Sequence, residues 1–207
     1  MSILEQIKEQ VISGNAKKVK EYTESAVAEG LDVSTILNDG LIAGMNVVGA
    51  LFKNDEIYVP EVLMAARAMH TGLAIIKPLI ASAGLKEKGV VAIGTVKGDM
   101  HDIGKNLVIM MLEGAGYKVI DLGTDVPAEK FLKVVEDEHP QIVGLSALLT
   151  TTMPQMQQTV KRLKESGNRI KIVVGGAPVT EKFAREIGAD GYAADAASAV
   201  EKVSELI

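Results

Sequence analysis

Five short apolar runs, each followed by a stretch with helical periodicity, dominate the chain from Gly89 onward. The runs have the length and composition of buried β-strands. They occupy residues 90–94, 118–122, 142–146, 170–174 and 191–193. Apolar strands that alternate with helices form parallel sheets covered by helices on both faces. We therefore predict an α/β fold with a five-stranded, doubly wound parallel sheet.

The first part of the chain has a different pattern, in which apolar residues recur at helical spacing. Breaks rich in Gly or polar residues divide it into four helices with short joints, as in a small antiparallel bundle. The fourth helix is expected to begin near Pro60, which suits a first helical turn, and to run to about Ala83. We predict two domains: a four-helix bundle over residues 1–86 and a Rossmann- or flavodoxin-like domain over residues 87–207.

Three glycines, Gly40, Gly44 and Gly49, lie within the third predicted helix. Glycine costs about 1 kcal/mol relative to Ala inside a helix, so their presence needs a reason. One explanation is close packing against another helix, and the other is a surface kept flat for a large ligand. The sequence leaves both explanations open.

Composition excludes several classes of function. The chain has no Cys, which excludes disulfides, thiolate catalysis and Cys-ligated metal centres. A net charge of −5 and an aromatic content of 3% argue against nucleic-acid binding, which needs basic stripes or stacking platforms. The apolar runs are broken by Gly or charge, so no segment is expected to be able to span a bilayer, and the start has no secretory pattern. We expect a cytoplasmic protein that binds neither membrane nor nucleic acid.

Ligands of doubly wound sheets bind beyond the carboxyl ends of the strands, so the residues that follow each strand are the candidates for function. The segment after the first strand contains Gly98, Asp99, Met100, His101, Asp102, Ile103 and Gly104. The other candidates are Ser146, Leu148 and Thr150 after the third strand and Gly175, Gly176 and Ala177 after the fourth. Small residues at successive strand ends leave a slot for a flat ligand. However, Gly-Gly is often only a turn, and a serine often only satisfies backbone groups.

Three kinds of site are compatible with the first of these segments. A phosphate-binding loop is disfavoured because five residues separate Gly98 from Gly104, and Asn106 stands where Ser or Thr would hold magnesium. A hydrolytic metal site on the two carboxylates and the histidine of the segment lacks further ligands nearby. A single imidazole offered to a metal that brings its other ligands fits best. Asp99, two residues before His101, can accept the hydrogen bond of the second ring nitrogen.

Three motifs at these strand ends together resemble the cobalamin-binding domain of methionine synthases and of corrinoid methyltransferase carriers. They are Asp99-x-His101-x-x-Gly104, Ser146-x-Leu148 and Gly175-Gly176. The gaps between them, residues 105–145 and 149–174, contain 41 and 26 residues and match the family pattern. Residues 40–77 resemble the helical cap of the same family, so the resemblance covers nearly the whole chain.

The resemblance implies a role for each matched residue. His101 is expected to be the lower axial ligand of cobalt, in place of the cofactor's own dimethylbenzimidazole. Asp99 is expected to hydrogen-bond His101, and Ser146 to hydrogen-bond Asp99 and complete a proton relay. The rest of the loop from Gly98 to Gly104 is expected to contact the corrin. The displaced nucleotide tail is expected to enter a slot formed by Ser146, Leu148, Thr150, Gly175, Gly176 and Ala177.

The resemblance also implies a role for the cap, which is expected to cover the upper face of the corrin. Tyr58 is expected to lie near that face, at a position where methionine synthases have phenylalanine. The cap is expected to swing aside for each partner, with residues 82–89 as the hinge.

A stand-alone methyl carrier is the function that the resemblance implies, because no pterin or homocysteine domain is present. One partner methyltransferase is expected to methylate the cobalt of the cobalamin from a methoxylated aromatic, methanol, a methylamine or a betaine. A second methyltransferase is expected to pass the methyl group to tetrahydrofolate or a thiol. A reductive activator protein is expected to rescue Co(II).

Two other protein classes share these motifs. A cobalamin-dependent sensor or regulator generally carries a DNA-binding domain, and no basic helix-turn-helix segment is evident in the sequence. The small subunit of a mutase lacks the helical cap. A chelatable zinc or iron ion in place of cobalt is the remaining alternative.

Overall fold

The computed structural model describes residues 1–83 and 87–207, and the chain divides into two compact units. One unit comprises Met1–Glu87 together with Gly114–Gly116, and the other comprises Lys88–Glu113 and Tyr117–Ile207. The hinge predicted over residues 82–89 includes positions outside the described residues and stays a prediction.

The first unit is helical over the residues described. Its helices are α1 (Ile3–Ile12), α2 (Ala16–Ala28), α3 (Val33–Thr35), α4 (Ala43–Lys53) and α5 (Val59–Ala83). A π-helical stretch, Ile36–Ile42, joins α3 to α4, so the third predicted helix is present but widens in its middle. Polar side chains begin the first three helices, because Ser2, Asn15 and Asp32 each accept a backbone N–H of the first turn.

Two of the glycines in the third helix are explained by close packing on α1. A Cβ at Gly40 would lie 3.1 Å from Cγ2 of Ile7, and one at Gly44 would lie 2.7 Å from Cβ of Val11. Both of these α1 side chains are fully buried. Of the two explanations that the sequence leaves open, helix packing therefore accounts for these two positions.

The second unit is built on a five-stranded sheet in which every strand pairs in parallel. Its strands are β1 (Val90–Thr95), β2 (Lys118–Asp121), β3 (Ile142–Ser146), β4 (Lys171–Gly175) and β5 (Gly191–Ala193). The helices between and after them are α6 (Ile103–Gly114), α7 (Ala128–Glu138), α8 (Met153–Glu165), α9 (Glu181–Glu186) and α10 (Ala196–Leu206). The predicted doubly wound α/β fold is confirmed.

The strand order β2-β1-β3-β4-β5 places the change of winding direction between β1 and β3. The register aligns the carboxyl ends of the central strands, because Thr95 pairs with Ser146 and Ser146 pairs with Gly175. The segments that leave β1, β3 and β4 consequently begin side by side. Each of the three sequence motifs begins at or just after one of these strand ends.

Two helical stretches of the first unit, Val33–Lys53 and Val59–Leu79, are long and apolar enough to cross a membrane by length and composition alone. The expectation that no segment meets this criterion is therefore wrong, because it considered only unbroken apolar runs. The finding is weak evidence for a membrane, since core helices of soluble proteins pass the same test.

Candidate functional site

The segment after β1 begins with a tight turn that brings Asp99 into the interior. The Asp99 N–H donates to the carbonyl of Val96 at 3.1 Å. Gly98, the residue before Asp99, has φ +82°, a backbone conformation that favours glycine. The predicted cofactor-binding residue Gly98 thus has a structural role in the turn itself.

The carboxylate of Asp99 is fully buried and accepts five hydrogen bonds. Its Oδ1 accepts the backbone N–H of His101 at 3.1 Å and lies 2.8 Å from Nδ1 of the same residue. Its Oδ2 accepts the backbone N–H groups of Leu148 and Leu149, at 2.7 and 3.3 Å, and the Thr152 hydroxyl at 2.8 Å. A buried charge needs such partners, because isolated carboxylates are strongly destabilised in the interior.

These hydrogen bonds keep Asp99 ionised. Burial by itself raises the pKa of the Asp99 carboxyl, but the bonds from Leu148, His101 and Thr152 outweigh it and hold the pKa well below its usual range. The group therefore remains a pure acceptor at neutral pH.

His101 has one ring nitrogen engaged and one available. Because the ionised carboxylate of Asp99 only accepts, the hydrogen of the neutral imidazole is on Nδ1 and the lone pair on Nε2. The His101 side chain is 50% exposed. The Thr95 hydroxyl donates to the His101 carbonyl at 2.9 Å and fixes the backbone at this point. The predicted Asp99–His101 pair is present in the structure, with Nε2 in the state that a metal requires.

The hydroxyl group that donates a hydrogen bond to the Asp99 carboxylate is that of Thr152 and not that of Ser146. Ser146 ends β3, where its carbonyl accepts the N–H of Val96 at 3.0 Å, and its side chain is not among the described partners of Asp99. Thr152 lies six residues further along the chain, just before α8, and is 5% exposed. The expected hydrogen bond from Ser146 is therefore wrong. The sequence offers only a weak signal for its replacement, because Thr150, Thr151 and Thr152 are consecutive.

Gly175 and Gly176 allow close backbone contact at the ends of β3, β4 and β5. Gly176 has φ +126°, and a Cβ there would lie 1.8 Å from the carbonyl oxygen of Ala147. A Cβ at Gly175 would lie 2.8 Å from the carbonyl oxygen of Ala193. The space beside Gly176 is thus filled by the protein's own backbone. Packing between strand ends thus explains why both residues are glycines. Both stay partly exposed, so the slot expected for the nucleotide tail remains a prediction.

Gly104, in contrast, has open space around it. Apart from the adjoining residues and the backbone of its own helix, no heavy atom lies within 4 Å of a Cβ placed there, although glycine is unfavourable in the first turn of α6. Four apolar side chains on the same loops are exposed, namely Met100 (69%), Ile103 (80%), Leu148 (43%) and Leu149 (41%). An exposed group of large apolar residues beside an available imidazole indicates a binding surface for a large, partly apolar ligand.

A buried lysine that the sequence pattern did not predict lies next to this surface. Lys105 is 3% exposed, and its Nζ donates to Asp121 at 2.6 Å and to Asn106 at 2.7 Å. Asn106 in turn donates to the carboxylate of Asp102 at 3.1 Å. Asp102 is thereby engaged at the start of α6. Within residues 1–83 and 87–207, no three His, Asp or Glu side chains are grouped to hold a metal ion, so nothing supports the hydrolytic metal site.

The remaining predicted contact residues are exposed. Thr150 and Ala177 lie on the loops after β3 and β4. Tyr58 lies in the helical unit just before α5, and its side chain is 69% exposed. Its backbone N–H donates to the Glu61 carboxylate at 3.1 Å, which caps that helix.

We predict that Thr152→Val destabilises the apoprotein by about 1.5–3 kcal/mol, the usual contribution of a hydrogen bond to a charged group. Thr152→Ser keeps the hydroxyl and should restore most of the loss. Ser146→Ala is the matched control and should have a small effect. Denaturant unfolding of the three variants provides the measurement, and a larger loss for Ser146→Ala than for Thr152→Val would reverse the assignment.

We predict that Gly176→Ala destabilises the apoprotein by more than about 3 kcal/mol, because its Cβ collides with backbone in a conformation that already disfavours Ala. Gly188→Ala is the control, since Gly188 has φ +80° but no atom within 4 Å of its Cβ position. Its loss should be about 1 kcal/mol. Equal melting temperatures for the two variants would contradict this explanation.

Comparison with known proteins agrees with this geometry. A B12 binding domain family matches residues 89–201, and a second B12 binding domain family matches residues 3–77. The chain is 45% identical to a corrinoid protein of Desulfitobacterium hafniense strain Y51, covering 100% of this chain and 98% of the relative. It is 42% identical to dimethylamine corrinoid protein 3 of Methanosarcina acetivorans, covering 99% and 97%.

Solved structures give the same result. A cobalamin-binding protein from Desulfitobacterium hafniense DCB-2 superposes with a TM-score of 0.82 at 29% identity, covering 99% of this chain and 98% of the other. The methanol:cobalamin methyltransferase complex MtaBC from Methanosarcina barkeri contains a chain that superposes with a TM-score of 0.87 at 35% identity, covering 98% and 78%. The expected corrinoid cofactor is confirmed by these matches, and the chain belongs to the family of B12-binding corrinoid proteins.

Proposed function

We propose that this chain binds its corrinoid with His101 Nε2 as the lower axial ligand of cobalt and carries a methyl group between two methyltransferases. The observation that supports the axial ligation is the distance of 2.8 Å between His101 Nδ1 and Asp99 Oδ1. It leaves one basic ring nitrogen available on a half-exposed imidazole.

The residues present fit a corrinoid. A corrin ring supplies the equatorial nitrogens of its cobalt, so one protein ligand is sufficient and a cluster of ligating side chains is not required. The open space at Gly104 lets a large planar group approach the first turn of α6. The exposed side chains of Met100, Ile103 and Leu148 offer apolar surface beside the imidazole. We also propose contacts with the corrinoid for the other residues expected from the sequence, namely Gly98, Asp102, Ser146, Thr150, Gly175, Gly176, Ala177 and Tyr58.

The chain's own residues hold the ligand ready. When bound, the corrinoid supplies a cobalt centre that accepts and donates a methyl group, and the protein supplies orientation and electrostatics. Asp99 accepts the Nδ1 hydrogen, which fixes the tautomer of His101 and leaves the lone pair of Nε2 for the metal. Thr152 and the backbone N–H groups of Leu148 and Leu149 keep Asp99 ionised and in place.

The carrier role is supported by the relatives. Several of the similar proteins are named dimethylamine or trimethylamine corrinoid proteins, and one structural neighbour comes from a methanol:cobalamin methyltransferase complex. We propose methylamines or methanol as the first donors to test, with methoxylated aromatics and betaines after them. The acceptor methyltransferase uses tetrahydrofolate or a thiol, a reductive activator restores inactive cobalt, and the system is cytoplasmic.

Near end-to-end similarity to corrinoid proteins favours the carrier over a regulator or a mutase subunit. The donor is identified by presenting the reduced, corrinoid-loaded protein to one donor methyltransferase at a time. Methylation of the bound corrinoid with none of them would count against the carrier role.

We predict that His101→Ala still retains cobalamin through its other contacts but loses imidazole ligation. Nitrogen hyperfine coupling to the imidazole should disappear from the Co(II) EPR spectrum, and the visible spectrum should change accordingly. His139→Asn is the control, because His139 ends α7 with φ +49°, a conformation that Asn tolerates. An unchanged His101→Ala spectrum would refute the axial assignment.

We predict that Gly104→Ala weakens cobalamin retention without destabilising the apoprotein. The added methyl group meets no protein atom and, in a helix, raises stability by no more than about 1 kcal/mol. It does occupy the space that we assign to the corrin. The melting temperature of the apoprotein and the cobalamin retained after desalting test the two halves separately. Wild-type retention would place the corrin elsewhere.

A further inference from the structure

Asp125, in the loop after β2, has a backbone conformation that calls for an explanation. Its φ is +52°, in the left-handed region, which is uncommon for a non-glycine residue and which Asp and Asn adopt more readily than other residues do. Among the described residues, the non-glycine positions with positive φ are Asp55, Asp125 and His139. Asp55 and His139 lie at the ends of helices, where left-handed residues are common. Asp125 lies beside the segment that carries His101.

Two hydrogen bonds join Asp125 to that segment. Its Oδ1 accepts the backbone N–H of Gly98 at 2.7 Å, and its own backbone N–H donates to the Asp99 carbonyl at 2.9 Å. Asp125 thus binds the two peptide groups that flank the Gly98–Asp99 peptide, one through its side chain and one through its backbone. The left-handed conformation of Asp125 accompanies this double attachment.

The attachment extends the pairing of β1 and β2 beyond the ends of both strands. The Thr95 N–H donates to the Gly123 carbonyl at 3.0 Å, the Val126 N–H donates to the Thr95 carbonyl at 2.9 Å, and Val96 forms a parallel bridge with Val126. Asp125 adds the contacts to the turn itself. Asp99 is therefore supported from β3 through its carboxylate and from the β2 side through its backbone.

We propose that Asp125 is a positioning residue for the cobalt ligand. It fixes the Gly98–Asp99 turn, and the turn fixes the carboxylate that sets the ring orientation and tautomer of His101. The proposal rests on the proposed function for its consequence at cobalt, but its effect on His101 is present in the apoprotein. Asp125 itself contacts neither the imidazole nor, in this assignment, the corrin.

Three substitutions separate the contribution of the side chain from that of the backbone. Asp125→Asn keeps an acceptor oxygen and tolerates the left-handed conformation, so it should behave like the wild type. Asp125→Gly keeps the conformation but removes the acceptor for the Gly98 N–H. Asp125→Ala removes the acceptor and disfavours the conformation. Asp55→Gly is the matched control, since Asp55 has φ +58° in the helical unit.

The first measurement uses the apoprotein labelled with 15N-histidine. NMR should show one ring tautomer, with hydrogen on Nδ1, for His101 in the wild type, Asp125→Asn and Asp55→Gly. The ratio of this tautomer to the other should fall by up to about tenfold in Asp125→Gly, the scale on which loss of one charge-assisted hydrogen bond acts. A wild-type ratio in Asp125→Gly, with the fold intact by circular dichroism, overturns the proposal.

The second measurement uses the same variants loaded with Co(II) cobalamin. The fraction with imidazole nitrogen coupling in the EPR spectrum should follow the tautomer ratio, high in Asp125→Asn and low in Asp125→Gly. If the wild type itself shows no such coupling, the proposed function fails, while the NMR result still decides the role of Asp125. If the two variants have equal coupling, the positioning of the cobalt ligand by Asp125 is refuted.

Discussion

The burial of one carboxylate organises the site. Asp99 is removed from water and remains ionised, which requires that all its donors be in place. Those donors come from its own turn and from the segment between β3 and α8. The charge therefore ties together two loops that are about 50 residues apart in the chain. The state of the imidazole follows from this arrangement, since an ionised acceptor at Nδ1 determines which nitrogen is left available.

The topology explains why the site lies at this place. β1 and β3 are neighbours in the sheet, but the chain leaves β1 in one direction and resumes beyond β3 in the other. Their following segments separate at that point and leave the strand ends accessible. The register aligns Thr95 with Ser146, so the two loops start level and Asp99 reaches the backbone that follows β3. A local turn and a long-range strand pairing thus cooperate in placing a single side chain.

The sequence predicts the elements and the central pair because both depend on short-range patterns. Strand and helix periodicity gave the sheet, and the spacing of Asp99 and His101 is that of a carboxylate supporting a ligand. The hydroxyl partner was misassigned because hydrogen bonds across loops depend on backbone geometry, and the sequence has three consecutive threonines there. The burial of Lys105 could not be predicted from the sequence either, because a lysine in a polar segment is normally exposed to solvent. The close contact of Gly176 with the Ala147 carbonyl could not be predicted either, because it depends on how the segments after β3 and β4 pack together.

The donors to Asp99 have a consequence for how such a chain can diverge. Most of them are backbone N–H groups, including those of Leu148 and Leu149, whose side chains are exposed. Backbone groups persist when side chains are exchanged. The side chains at positions 148 and 149 can therefore be exchanged, while the Asp99 carboxylate keeps its hydrogen bonds from the same two backbone N–H groups. At these two positions the backbone atom supports Asp99 while the side chain faces outward, so selection can alter the side chain and leave the support intact.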